Sequence, residues 1–223
     1  EADEYDVADE LDQLAMLSML HAEPNERYRH HRLLADFARE KLADLPTAPQ
    51  AQHRYAAHYL GLVQRAGSNY DRLELDWDNL LEAVQIAHAE QDWGLVTQLV
   101  DALTAPWFAR ARFAQARQGY TWALDAAGAT GDEPRRARYA YFLAKALLRQ
   151  DEYAEARHLL GIAINGFGAA HDRLRLADAY VDLADVALEE GEYREADDYL
   201  AAAEAIFFDT HQAIGLATIK SRQ

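Results

Sequence analysis

No cysteine occurs among the 223 residues. That excludes disulfides, thiolate zinc sites and cysteine nucleophiles, and it fits a reducing compartment, so the cytoplasm is the expected location. Positive charge is also short: 22 Lys and Arg face 38 Asp and Glu, a formal charge of −16. Such a field repels phosphate backbones and anionic lipid, so neither direct nucleic-acid binding nor a membrane surface is expected. No apolar run approaches the roughly 20 residues that span a bilayer. The opening EADEYDVADE is acidic where a secretion signal is basic and then apolar. A G-x-x-x-x-G-K-[ST] loop, which cradles phosphates through backbone amides, is missing too, and the glycine cluster GATGDEP has no lysine. The chain by itself is therefore not expected to be an enzyme. It begins without Met, and its last segment GLATIKSRQ stops within a helical pattern, so it reads as a piece of something longer.

Gly and Pro number only 11 and 5, gathered at AEPNE, LPTAP, RAGSN, GATGDEP and NGFGAAHD. Between these breaks the apolar residues recur at three and four, as in Leu33, Leu34, Phe37, Ala38 and Leu42, or Tyr55, Tyr59, Leu60 and Val63. That spacing makes an apolar stripe along a helix. The fold class is all-α, with over two thirds of the chain helical. Strands are expected only near residues 17–21 and 27–31, where the pattern alternates between turn residues.

Three stretches superpose: ARFAQARQGYTWAL, DEYAEARHLLGIAI and GEYREADDYLAAAE. Each has an aromatic (Phe113, Tyr153, Tyr193), Ala three residues on (Ala116, Ala156, Ala196), a large residue four further (Tyr120, Leu160, Leu200) and Ala again (Ala123, Ala163, Ala203). The period is 40 both times. Upstream of each aromatic lies Leu followed by a small residue: Leu103 and Thr104, Leu143 and Ala144, Leu183 and Ala184. Small residues there let paired helices approach closely, and the aromatic plugs the space between neighbouring pairs. The pattern resembles the tetratricopeptide repeat, whose usual period is about 34. The extra residues are expected to lengthen the loops between hairpins.

The resemblance implies an α-solenoid of helical hairpins that binds a protein or small-molecule ligand along the face lined by the first helix of each pair. Carrying its register over, the lining residues of the central repeat are Arg138, Tyr141, Lys145 and Arg149, and those one repeat later are Asp178, Asp185 and Glu189. The groove would be positive in its middle and negative toward the C-terminal side. A second reading stays open, in which these charges only solvate an exposed helix face and pair with one another.

Residues 27–42, RYRHHRLLADFAREKL, change from strand-like alternation to helical spacing. Before them LDQLAMLSML is an amphipathic helix running into a short strand, and AEPNE is a turn. A helix, a hairpin and a helix make the closing part of a winged-helix domain. The string Leu11, Leu14, Ser18, Leu20, then Tyr28, His31, Leu33, Leu34, Phe37, Ala38 and Leu42 resembles that segment of the STAND (NB-ARC type) signal-transduction ATPases. ELDWDNLLEAVQIA, residues 74–87, is similar to the helix that opens the sensor arm of bacterial members, many of them transcriptional regulators. The resemblance implies that His31 contacts the β-phosphate of ADP in the parent protein's resting state. Arg32 stands where the family has Asp, and a guanidinium there could hold the phosphate itself. ADP or ATP with Mg would be cofactors of the parent, with none in this chain, and the nucleotide-binding domain of the same chain would be a partner.

Nine histidines raise the question of metal. Adjacent His30 and His31 cannot both face one ion from a strand, and His53 and His58 point to different sides of a helix, so no metal site is expected. The expected organisation is the end of a winged helix over 1–48, linking helices over 49–92, and repeats over 93–223. Two functions stay open: the regulatory sensor module of a STAND ATPase, or a free-standing tetratricopeptide adaptor that grips a partner's tail through a basic clamp.

Overall fold

The computed structural model describes residues 4–23 and 27–221. The chain divides into two compact units, Glu1–Ala51 and Gln52–Gln223. Residues 24–26, most of the expected AEPNE turn, lie outside the described residues, as does the side chain of Arg32.

The first unit contains α1 (Glu4–Met16), the strands β1 (Leu20–Glu23) and β2 (Arg27–His30), and α2 (Arg32–Ala43). The strands pair antiparallel, with Leu20 opposite His30 and Glu23 opposite Arg27. These are the only strands among the described residues. The first begins three residues later than the alternation suggested. Ser18 takes a left-handed φ of 59°, and the Met19 amide donates back to the Leu14 carbonyl at 2.9 Å. That bond closes α1 with a Schellman turn and uses residues 17–19 before the strand can start. His31 also departs from expectation. It is the N-cap of α2, with φ −67° and ψ 142°, and not a strand residue.

The second unit takes in most of α3 (Ala48–Ala66), a single 3-10 turn (Tyr70–Leu73) and α4 (Trp77–Ala89). It continues with α5 (Trp93–Ala109), α6 (Phe113–Thr130), α7 (Glu133–Leu148), α8 (Tyr153–Ala169), α9 (Arg173–Glu189), α10 (Tyr193–Asp209) and α11 (Ala213–Lys220). From Trp93 onward every helix starts 20 residues after the last. One turn makes all of these connections. A residue with positive φ recurs at 91, 111, 131, 151, 171, 191 and 211, and the next residue's amide bonds back to the carbonyl five positions earlier at 2.8–3.1 Å. The links are two to four residues long, so the loops are not lengthened. The surplus over the usual repeat sits in the helices, which run 16–18 residues from α5 to α10. Turns of this kind at a period of about 34 would leave helices about three residues shorter.

Alternate helices start differently. Asp92, Asp132 and Asp172 cap α5, α7 and α9, each accepting the amide three residues on, at 3.0, 3.0 and 3.2 Å. The second helices begin at Arg112, Glu152 and Glu192, with no side-chain cap. Aspartate satisfies an orphan amide and favours the positive helix end.

The alanines, leucines and large residues of the repeat pack as their spacing implies, whereas the aromatics do not plug the space between pairs: Phe113 and Tyr153 are only partly covered and Tyr193 is exposed. Ala116, Ala156, Ala196, Tyr120, Leu160, Leu200, Leu143, Ala144, Leu183 and Ala184 are all buried. Gly119 lets Trp107 lie against α6, since a Cβ there would stand 2.3 Å from the indole Cη2. The Trp107 and Tyr120 rings meet edge to face at 5.6 Å, and the Tyr120 hydroxyl donates to Thr104 Oγ1 at 2.9 Å. Ion pairs on the second helices repeat as well: Arg117 to Glu155 and Arg157 to Glu195, both at 2.8 Å. The second unit is an all-α solenoid of tetratricopeptide-like hairpins.

Candidate functional site

The first helices α7, α9 and α11, with the end of α10, enclose a cleft of about 420 Å³. That lies within the range of ligand pockets, roughly 300–1,000 Å³. Its apolar walls are Leu174, Val181, Phe207 and Ile214, and its polar end is Tyr141, Lys145, Asp178 and Asp182. Gly215 allows α11 to approach, because a Cβ there would stand 2.6 Å from the Phe207 ring.

The polar end is a linked set. The Lys145 ammonium donates to the Tyr141 hydroxyl at 3.3 Å and stands 5.2 Å from that ring's centre. It lies 3.6 Å from Asp182 Oδ2, an ion pair beyond hydrogen-bond reach. Oδ2 is buried and accepts no hydrogen bond of normal length. Burial pushes the Asp182 carboxyl above the usual carboxylate range, with Lys145 and the Tyr141 hydroxyl pulling against it and Asp185 and Asp178 adding to it. Asp178 is raised too, chiefly by desolvation, with Lys145 opposing. Tyr141 is held far above its ordinary value, first by burial and then by Asp182. At neutral pH its hydroxyl therefore stays protonated and able to donate.

Of the residues picked from the sequence, Tyr141, Lys145 and Asp178 meet in this cleft. Arg138 lies elsewhere, lining a separate cleft of about 170 Å³. Its guanidinium pairs with Asp101 of α5, which also accepts from the Tyr139 hydroxyl at 2.9 Å. Arg149 is the exposed C-cap of α7, Asp185 is half-buried on α9, and Glu189 is exposed at the end of α9. Asp182 was missed. One signal could have found it: at the period of 40 it falls on Phe142, which stacks on Tyr120. A carboxylate stands where the preceding repeat has a partly buried aromatic packed against the core.

In the first unit, His31 Nδ1 accepts the Leu33 amide at 3.3 Å. Tyr28 hydrogen-bonds to Asp12 at 2.9 Å. Among the described residues no group of three or more His, Asp or Glu side chains is placed to hold a metal ion, and no helix is long and apolar enough to cross a membrane.

No family model and no curated protein matches the sequence. Among solved structures, the chain is similar to the apo form of RapI, with TM-score 0.63 and 14% identity over 84% of this chain and 55% of that one. It is also similar to aspartyl phosphate phosphatase F from Bacillus subtilis, with TM-score 0.50 and 13% identity over 97% of this chain and 65% of that one. The chain thus spans between half and two thirds of these proteins. The likeness is one of fold.

Proposed function

We propose that residues 52–223 are a binding module that takes a protein or peptide segment in the α7–α9–α11 cleft, and that residues 1–51 close a winged helix in a STAND-type nucleotide switch that the module regulates. The observation that carries the binding role is the cleft: an apolar trough with a charged, hydrogen-bonding end, the composition of sites that grip a side chain and orient it. Panning a random peptide library on the purified chain should enrich peptides that need this cleft. A double variant, Leu174→Glu with Ile214→Glu, alters its two exposed walls and serves as the counter-screen. No enrichment, or equal enrichment on the variant, overturns the reading.

Two observations support the switch. The first unit leaves Met16 (81%), Leu33 (72%) and Phe37 (57%) exposed, apolar side chains that a neighbouring domain could cover. In addition, Nδ1 of His31 accepts from the Leu33 amide, so the neutral ring carries its proton on Nε2 and can donate to a phosphate at the start of α2. In the protein that carries the nucleotide domain, His31→Ala should speed ADP release and raise basal output. Equal ADP retention in wild type, His31→Ala and the His31→Ala, Arg32→Ala double variant overturns the switch. The chain itself should show no ATP turnover, because it has no phosphate-cradling loop. A free-standing adaptor fits the solenoid fold equally well, but its basic clamp does not, since Arg138 and Lys145 are already paired with Asp101 and Asp182.

A further inference from the structure

We infer that the cleft recognises a cationic side chain flanked by apolar residues, so that the partner segment is a basic amphipathic peptide. The inference rests on the binding role proposed above and names the chemistry of its occupant. Three observations lead to it. The first is charge: Asp178 and Asp182 face the Lys145 ammonium, and Arg175, which also acts on Asp178, is already paired with Asp172, so the polar end carries a net negative charge when both carboxyls are ionised. An acidic segment is repelled there, and the charge of −16 on the whole chain acts in the same direction and speeds the approach of a basic one.

The second is an unfilled acceptor. Asp182 Oδ2 is buried with no hydrogen bond of normal length, and only the looser pull of the Tyr141 hydroxyl and of Lys145 reaches the carboxylate, an arrangement that costs free energy until a closer donor arrives. Lys145 holds a position between Tyr141 and Asp182 and does not supply that bond. A guanidinium or ammonium entering from the open side would donate to Oδ2 and lie beside Asp178. The third is the shape of the walls. Leu174 and Ile214, both exposed at the mouth, match the aliphatic stem of Arg or Lys and an apolar neighbour. Asp182 sits at this place although burial pulls it toward the neutral form, while the preceding repeat has Phe142 there.

The test titrates the purified chain with capped peptides Gly-Leu-Xaa-Leu-Gly, with Xaa Arg, Lys, Gln or Glu, and follows the methyl resonances of Leu174, Val181 and Ile214. The Arg and Lys peptides should bind about tenfold or more tighter than the Gln peptide, the gain of a charge-assisted hydrogen bond, and the Glu peptide should be weakest. Asp182→Asn should remove most of that preference. Asp178→Asn, at an exposed position, should reduce it without any risk to folding, and Arg117→Ala on the second-helix face should change nothing. Gln or Glu binding as tightly as Arg overturns the cationic occupant and leaves the cleft as a binding site. Failure of all four peptides to shift the cleft methyls, with a folded spectrum, overturns the binding role and the inference with it.

Discussion

The two units bury their apolar residues to very different degrees. Over 52–223 a nearly continuous core runs from Ala56 to Ile219, with Trp107, Tyr120, Leu147 and Leu160 fully enclosed. Among the described residues of the first unit only Ala35 and Ala48 are buried. The amphipathic stripes of α1 and α2 are clearer than those of most solenoid helices, so amphipathicity does not by itself produce a core. Burial needs a partner face of matching period, and the 20-residue repeat supplies one to every helix from α5 on.

The sharpest way to break that contrast is to cut a large side chain from each unit. Trp107→Ala should destabilise the solenoid by about 3–5 kcal/mol, read as a lower urea midpoint, whereas Phe37→Ala, more than half exposed, should move that midpoint by under about 0.5 kcal/mol. Next in size, Gly119→Ala forces a methyl against the buried Trp107 ring and should cost about 1–3 kcal/mol by the same measurement.

The difference between first and second helices gives a smaller effect. Asp132→Ala removes a cap and should cost about 1 kcal/mol. Glu152→Ala, at a helix start that makes no such bond, should be near neutral.

The smallest effect has the opposite sign. The Asp182 carboxyl is raised in the fold above its ordinary 3.8, so between that value and its folded value the native state binds more protons than the unfolded one. Its contribution to stability therefore falls as pH rises through this window. Asp182→Asn should stabilise the chain at pH 7, by under about 1 kcal/mol because the pull of Lys145 is lost with the charge, and the advantage should fade toward pH 4. Thermal melts across that range check it.

Much of this was legible in the residues, and the gaps have physical causes. The alanines and aromatics at a period of 40 mark the helix crossings, where only small side chains fit. The half-period of 20 was hidden because Gln91, Ala111, Asp151, His171 and His211 occupy the left-handed turn position that glycine usually announces. Without that sign, extra residues read as longer loops. The caps Asp92, Asp132 and Asp172 recur at the full period of 40, but the apolar spacing that reveals the repeat carries no mark of them. His31 read as a strand residue because alternation runs up to it, while its capping bond depends on the helix that follows. In the cleft, the first-helix register led to Tyr141, Lys145 and Asp178. Asp182 was lost because its place one repeat earlier is held by an aromatic packed against the core.

The uniform turn also governs how the solenoid comes apart. Each hairpin packs chiefly on its sequence neighbours, so nearly every stabilising contact closes a short loop, and such chains fold quickly. The same locality allows one end to open while the middle stays shut. A ligand seated between α7, α9 and α11 would tie three successive hairpins together, coupling occupancy of the cleft to the length of solenoid that stays zipped.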